Sequence, residues 1–313
     1  LDSTAPHADV VARSTSSTFE AGPGRDGAFR TCEALARSHY ENFSVATRLL
    51  PAHLRKHFYS VYAFCRGVDD LGDEAQGDRL AQLDGWEGQL RLSYSGTPTH
   101  PYFVALQETI ERFDIPQSLF LKIIEANRRD QRARRHPDYP ALLDYCDHSA
   151  NPVGRIVLHL FGHKEPGLHR LSDHTCTALQ LANFWQDVAR DYAVGRIYLP
   201  LSDMAEFGVT EEMVSARDAT PEFRRLMRFE VDRARALFKL GYPLARMVVR
   251  PARIDVALFT AGGLAVLKAI ERQDYDVLRA RPVVPKRTKV RLLFSAWVRT
   301  RLGLAPVPAS AFR

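Results

Sequence analysis

The chain is short of the residues and patterns that mark several common protein classes. Its 313 residues hold four cysteines, Cys32, Cys65, Cys146 and Cys176, with no CxxC pair among them. That spacing argues against a disulfide framework and a zinc site, and it fits a reducing cytoplasm. No apolar run reaches the roughly 18 residues of a membrane span. The first residues lack the basic, apolar and small-residue order of a secretory signal. There is no GxSxG and no P-loop, and no alternating run strong enough to read as a strand. Gly22-Pro23-Gly24-Arg25-Asp26-Gly27 has GxGxxG spacing. No strand precedes it and a proline interrupts it, so the dinucleotide reading fails its own context. His53/His57 and His159/His163 are spaced i,i+4 but carry neither the glutamate of HExxH nor a third ligand. They read as exposed or core histidines.

What the chain does have is apolar bulk and positive charge. Hydrophobic residues make up 45% of it, and 43 Lys plus Arg against 37 Asp plus Glu leave a net charge of +6. The basic residues cluster at Arg128-Arg129, Arg132 to Arg135, and Arg279 to Arg301. Solvated helix faces explain them most simply, with an anionic surface or anionic substrate as the functional readings. Without a zinc-finger, RRM or helix-turn-helix pattern, no nucleic-acid partner is expected.

Residues 1–28 are rich in Ser, Thr, Ala, Gly and Pro and read as a disordered tail. Residues 29–302 read as one all-α domain, and 303–313 as a flexible C-terminal tail. The periodicity predicts helices over 30–41, 52–73, 78–94, 100–112, 117–133, 139–147, 150–162, 169–193, 222–246, 254–274 and 287–301. Pro51, Pro116, Pro152, Pro221 and Pro251 sit near the predicted starts, where proline is tolerated.

Two of these helices carry aspartates four residues apart: Asp69 and Asp73 within Asp69-Asp70-Leu71-Gly72-Asp73-Glu74, and Asp187 and Asp191. Residues i and i+4 share a helix face, about 6 Å apart along the axis. Each pair extends a polar stripe: Tyr62, Arg66, Asp69, Asp73, and Gln180, Asn183, Asp187, Asp191. A solvated outer face explains one such stripe. Two stripes mixing Tyr, Gln and Asn with Asp point instead to an oxygen-lined pocket. Like charges at i,i+4 call for a compensating cation. Mg²⁺ suits such a pocket because it binds through one or two carboxylates plus substrate phosphates. Arg66 and the run Arg196-Ile197-Tyr198-Leu199-Pro200 add phosphate-binding capacity.

Three linked segments resemble the squalene/phytoene synthase family, the head-to-head trans-prenyl transferases, over roughly residues 35–275. They are Tyr62-Ala63-Phe64-Cys65-Arg66-Gly67-Val68-Asp69-Asp70, then Tyr145-Cys146 leading to Ala150-Asn151-Pro152-Val153-Gly154, then Gln180 to Asp187 running on through Arg196 to Pro200. Within the family the chain is most similar to the bacterial hydroxysqualene synthase branch of hopanoid biosynthesis. The residues that suggest this are His39 to Ala46, Ser149 to Arg155 and Asn183 to Asp191.

The resemblance implies an isoprenoid-synthase-type helical bundle with a central cavity. It implies Mg²⁺-dependent ionisation of presqualene diphosphate and a water quench to hydroxysqualene. Asp69, Asp73, Asn183, Asp187 and Asp191 would bind several Mg²⁺ ions. Arg66, Gln180, Arg196, Tyr198 and His39 would contact diphosphate. Tyr62 and Tyr145 would line the reacting centre, and Phe43 the aromatic wall. No NADPH is expected. The implied functional partners are a presqualene diphosphate synthase and a flavin-type squalene-forming reductase. The implied location is cytoplasmic, with a peripheral contact on the inner face of the membrane.

The chain departs from relatives that perform the full condensation at Tyr40, Asn42, Ala150 to Gly154, Gln186 and Arg190. Arg190 lowers the negative charge beside Asp191, which fits one diphosphate rather than two. The alternatives are a squalene or phytoene synthase-type condensation and a non-catalytic helical assembly module, and the intact stripes argue against the second. Lys286 to Arg301 interleaves basic residues with Val290, Leu292, Leu293, Phe294, Trp297 and Val298. It reads either as a peripheral membrane contact or as a final helix packed on the core.

Overall fold

The computed structural model describes residues 24–38, 50–301 and 307–312. Fourteen α-helices run through the described residues. They are α1 (Arg25–Ser38), α2 (Ala52–Asp73), α3 (Arg79–Ser95), α4 (Pro101–Phe113), α5 (Gln117–Arg132), α6 (Tyr139–Ser149), α7 (Asn151–Leu160), α8 (Pro166–Ala193), α9 (Leu201–Phe207), α10 (Glu211–Ser215), α11 (Pro221–Gly241), α12 (Leu244–Met247), α13 (Arg250–Arg272) and α14 (Lys286–Arg301). A short 3₁₀ turn covers Ala309–Phe312. The only β-type pairing among the described residues is a single parallel bridge between Arg135 and Ile197.

The helix starts follow local chemistry. Asp78 caps α3 by accepting from the Ala81 amide at 3.0 Å, and Asp138 caps α6 from Ala141 at 2.8 Å. Pro51 and Pro116 stand just before α2 and α5, where the missing N–H costs nothing.

Two apolar clusters hold the bundle. One, built on α2 to α5 with α7, centres on Phe64, Phe103, Phe120 and Leu106. The other, built on α6, α8, α11 and α13, centres on Trp185, Phe223, Phe238 and Leu267. Each such fully buried side chain contributes roughly 1.5–3 kcal/mol. Trp185 also donates its indole N–H to the Glu230 carbonyl at 3.1 Å, tying α8 to α11. One acidic helix belongs to each cluster, α2 to the first and α8 to the second.

Several expectations need correction. The tail predicted over 1–28 gives way to helix at Arg25, with Ala28 fully buried and residues 1–23 outside the described set. The predicted helix 222–246 breaks after Gly241, because Pro243 supplies no N–H and its ring clashes with the preceding turn. Two short helices, α9 and α10, fill a stretch predicted as loop. At the C-terminus, residues 307–312 pack against the bundle rather than trailing free. Val307 is buried, its carbonyl accepts from the Tyr242 hydroxyl at 2.7 Å, and Phe312 meets the Tyr242 ring edge-on.

Several arginines of the basic clusters are paired. Arg128 binds Asp84 and Glu87, Arg129 binds Asp144, and Arg135 forks onto Glu211. His57 is buried against Thr109 at 2.9 Å, and burial pushes it down to about 4, a neutral core histidine. In α14, Leu292 packs inward while Val290 and Phe294 face outward.

Candidate active site

A cavity of about 270 Å³ lies at the seam between the two apolar clusters. Asp69 and Asp73 line it from α2, Asn127 and Asp130 from α5, Tyr145 from α6 and Gln180 from α8, with Arg196 and Tyr198 from the segment after α8. Six residues singled out in the sequence therefore share one space. Asp191 joins them through a small adjoining pocket that it lines with Phe184, Arg196 and Tyr198.

Local structure explains how each group arrives. Gly72 lets α5 press against α2: a Cβ there would meet the Asn127 amide oxygen at 2.3 Å. The close approach is fixed by Gln131, which donates to the Gly72 carbonyl at 2.9 Å, and it brings the Asn127 amide to 3.5 Å from Asp69. After α8 the chain turns at Gly195 with φ +81° and then runs extended along Arg134 and Arg135. Ile197 donates to the Arg134 carbonyl at 3.0 Å and buries its side chain in the core. Arg196 and Tyr198, on the other side of that short strand, line the cavity.

The aromatic wall is continuous. Phe184 and Tyr198 stack at 3.8 Å with planes 7° apart, His136 lies 5.6 Å from Tyr198 with planes 23° apart, and Tyr145 lies 5.8 Å from Tyr198. The Tyr145 hydroxyl donates to Asp130 at 2.8 Å, and burial together with the Asp130 charge holds that phenol well above its usual range.

The acidic end is under electrostatic load. Burial raises Asp69 to about 6, and the charges of Asp73 and Asp70 add to that while the Asn127 hydrogen bond opposes it. Asp69 opens onto the cavity yet sits deep in surrounding protein, so it can be reached by a small solute while poorly solvated. Burial likewise raises Asp130 to about 6, and burial plus the Asp187 charge raises Asp191 to about 7. Arg196 gives one partner, with its Nη2 2.6 Å from Asp73 Oδ1. Burial alone would lower that guanidinium, but Asp73, Tyr198 and Asp130 raise it overall. The donors are oxygen atoms from carboxylates and amides, the set a hard divalent cation takes. Among the described residues no three His, Cys, Asp or Glu side chains converge on one point. An ion would complete its shell with water and phosphate oxygens.

Other expected residues stand apart from the cavity lining. Arg66 is engaged with Asp70 at 2.6 Å and Glu74 at 3.0 Å. Asp187 is held by Arg281, Asn183 is exposed, and Tyr62 is half-buried on α2. His39 and Phe43 lie outside the described residues. Asp130 escaped the sequence reading because Arg128, Arg129 and Arg132 surround it. Its spacing of three from Asn127 was the available signal.

With this geometry in place, the chain matches the squalene/phytoene synthase family over residues 36–288. The chain belongs to that family. It is 32% identical to the phytoene synthase of Arthrospira platensis over 297 residues, covering 89% of this chain and 95% of the relative. The crystal structure of squalene synthase HpnC from Alicyclobacillus acidocaldarius is 52% identical with a TM-score of 0.78, covering 80% of this chain and 95% of that one. A dehydrosqualene synthase crystallised with ligand is 26% identical with a TM-score of 0.81, covering 89% and 98%. The fold is thus the all-helical isoprenoid-synthase type, in an enzyme family that acts on prenyl diphosphates. Among the described residues no helix is long and apolar enough to cross a membrane.

Proposed function

We propose that this chain is a hydroxysqualene synthase, ionising presqualene diphosphate with Mg²⁺ and quenching the rearranged cation with water. The observation that carries this reading is the shared cavity in which Asp69, Asp73 and Arg196 face Tyr145 and Tyr198. Asp69, Asp73, Asp187, Asp191 and Asn183 would hold the metal ions. Held there, such ions would supply positive charge to offset what develops on a departing diphosphate. Arg196 and Gln180 orient the diphosphate, and Arg66 can do so after leaving Asp70. The Tyr145, Tyr198 and Phe184 faces stabilise the cation at roughly 0.5–2 kcal/mol each. Their apolar packing limits bulk water and so premature quenching. His39, Phe43 and Tyr62 keep their proposed roles at the diphosphate, the wall and the reacting centre.

Arg190 supports a single diphosphate, since it stands 3.7 Å from Asp187 and offsets the negative charge of the second stripe. The same reading places the protein at the cytoplasmic face of the membrane, with Val290 and Phe294 of the basic α14 as the contact. It also pairs the enzyme with a presqualene diphosphate synthase and a flavin-type reductase, and needs no NADPH.

The second reading, condensation of two prenyl diphosphates, is favoured by the curated phytoene synthases to which the chain is similar. Incubation with presqualene diphosphate and Mg²⁺, followed by mass spectrometry, should yield hydroxysqualene. Rapid formation of a C30 product from farnesyl diphosphate alone would instead establish the condensation.

A further inference from the structure

Asp187 already holds a cation. Arg281 forks onto its carboxylate, Nε to Oδ1 at 2.5 Å and Nη2 to Oδ2 at 2.8 Å. A planar fork on a carboxylate is the strongest form of this pairing, and it occupies both oxygens at once. The fork is also held in place from behind. Buried Gln186, the neighbour of Asp187 on α8, accepts from Arg281 Nη2 at 3.0 Å through its oxygen and donates to the Pro282 carbonyl at 2.5 Å through its nitrogen. Val277 and Leu278, both buried, and Asp276 on Arg224 anchor the same segment to the bundle. Nothing in the proposed chemistry uses Gln186.

We propose that Arg281 is a positioning residue that stands in for the divalent cation on Asp187 in the ligand-free protein, clamped there by Gln186. This rests on the assignment of Asp187 as a metal ligand. A metal ion and the Arg281 fork compete for the same two oxygens. Metal alone must therefore displace the guanidinium into solvent. Metal arriving with a diphosphate offers the displaced guanidinium a new anion, so the two ligands bind with positive coupling. Coupling is reciprocal between ligands. The clamp would thus keep the metal site from loading before a diphosphate is present.

The test is Mn²⁺ binding to the full chain, followed by electron paramagnetic resonance of free Mn²⁺, with and without inorganic diphosphate. Arg281→Met should tighten Mn²⁺ binding without diphosphate by roughly tenfold, and should shrink the gain that diphosphate brings. Gln186→Leu should do the same more weakly, since the fork stays but its support is gone. Arg281→Lys, which keeps the charge without the fork, should fall between the wild type and Arg281→Met. Circular dichroism verifies that each variant is folded. Asp187→Asn is the control and should weaken Mn²⁺ binding. If it does and Arg281→Met leaves Mn²⁺ affinity unchanged or lower, the stand-in role is overturned while the metal site survives. If Asp187→Asn has no effect, both are overturned.

Discussion

Arg196 and Asp73 join the two acidic helices across the cavity, with Nη2 2.6 Å from Oδ1. The arginine follows α8, the aspartate ends α2, and the pair spans the seam between the two apolar clusters. Losing this cation removes charge stabilisation where the diphosphate would depart. Arg196→Met should lower kcat/KM for presqualene diphosphate by roughly 10²–10³-fold. Arg196→Lys should recover part of that, because the charge returns without the fork. Steady-state kinetics of both variants, with folding verified, measure the difference.

Tyr145 and Asp130 form a buried donor–acceptor pair at 2.8 Å. Tyr145→Phe leaves the Asp130 carboxylate without its donor and should cost about 1–3 kcal/mol in denaturant unfolding. Adding Asp130→Asn should recover part of the loss. The double-mutant cycle isolates the coupling, and strict additivity would show that the bond contributes nothing.

The raised carboxylates set a pH dependence. Asp191 near 7, and Asp69 and Asp130 near 6, each bind a proton more tightly folded than unfolded. Their stabilising contribution is therefore fully present below about pH 4 and is lost as pH rises through 6 to 7. The metal-free protein should melt higher at pH 5.5 than at pH 8, and Asp191→Asn should flatten that slope. Metal uptake near pH 6 should release protons, seen as a calorimetric heat that changes with buffer ionisation enthalpy.

Gly67 sits one residue after Arg66, and a Cβ there would meet the Trp86 ring at 2.4 Å. That ring is wedged against Phe103 and His100 and has little room to yield. Gly67→Ala should cost about 1–3 kcal/mol by overpacking. Its Mn²⁺ affinity, once folded, should match that of the wild type, because the acidic face of α2 points elsewhere.

Co-sedimentation with vesicles tests the outward face of α14. Binding to phosphatidylserine-containing vesicles should exceed binding to neutral ones, and Val290→Asp with Phe294→Asp should reduce it. Equal sedimentation of both proteins would remove the membrane contact.

The two stripes were legible because helical spacing alone puts Asp69 with Asp73 and Gln180 with Asp187 and Asp191 on common faces. The helix break at Pro243 was legible in principle, yet the apolar periodicity on either side masked it. Asp130 was legible only through its spacing of three from Asn127, and Arg281 was not legible at all. Both lie among arginines, and what distinguishes them is a partner far away in sequence: Tyr145 for one, Asp187 for the other. Short α9 and α10 depend on packing beside α8 and α11 rather than on any periodic run of their own. Arg66 shows the opposite case, a residue whose place on the stripe was right while its side chain turned to Asp70 and Glu74.

The lone bridge between Arg135 and Ile197 makes the site sensitive to the reading frame of a short strand. Alternate residues of an extended chain face opposite ways, so a slip of one position exchanges the two sides. Deleting a single residue between Tyr192 and Gly195 would carry the apolar Ile197 side chain toward the cavity and turn Arg196 and Tyr198 toward the core. Apart from Gly195, whose positive φ makes the turn, the loop tolerates a change of residue better than a change of length by one.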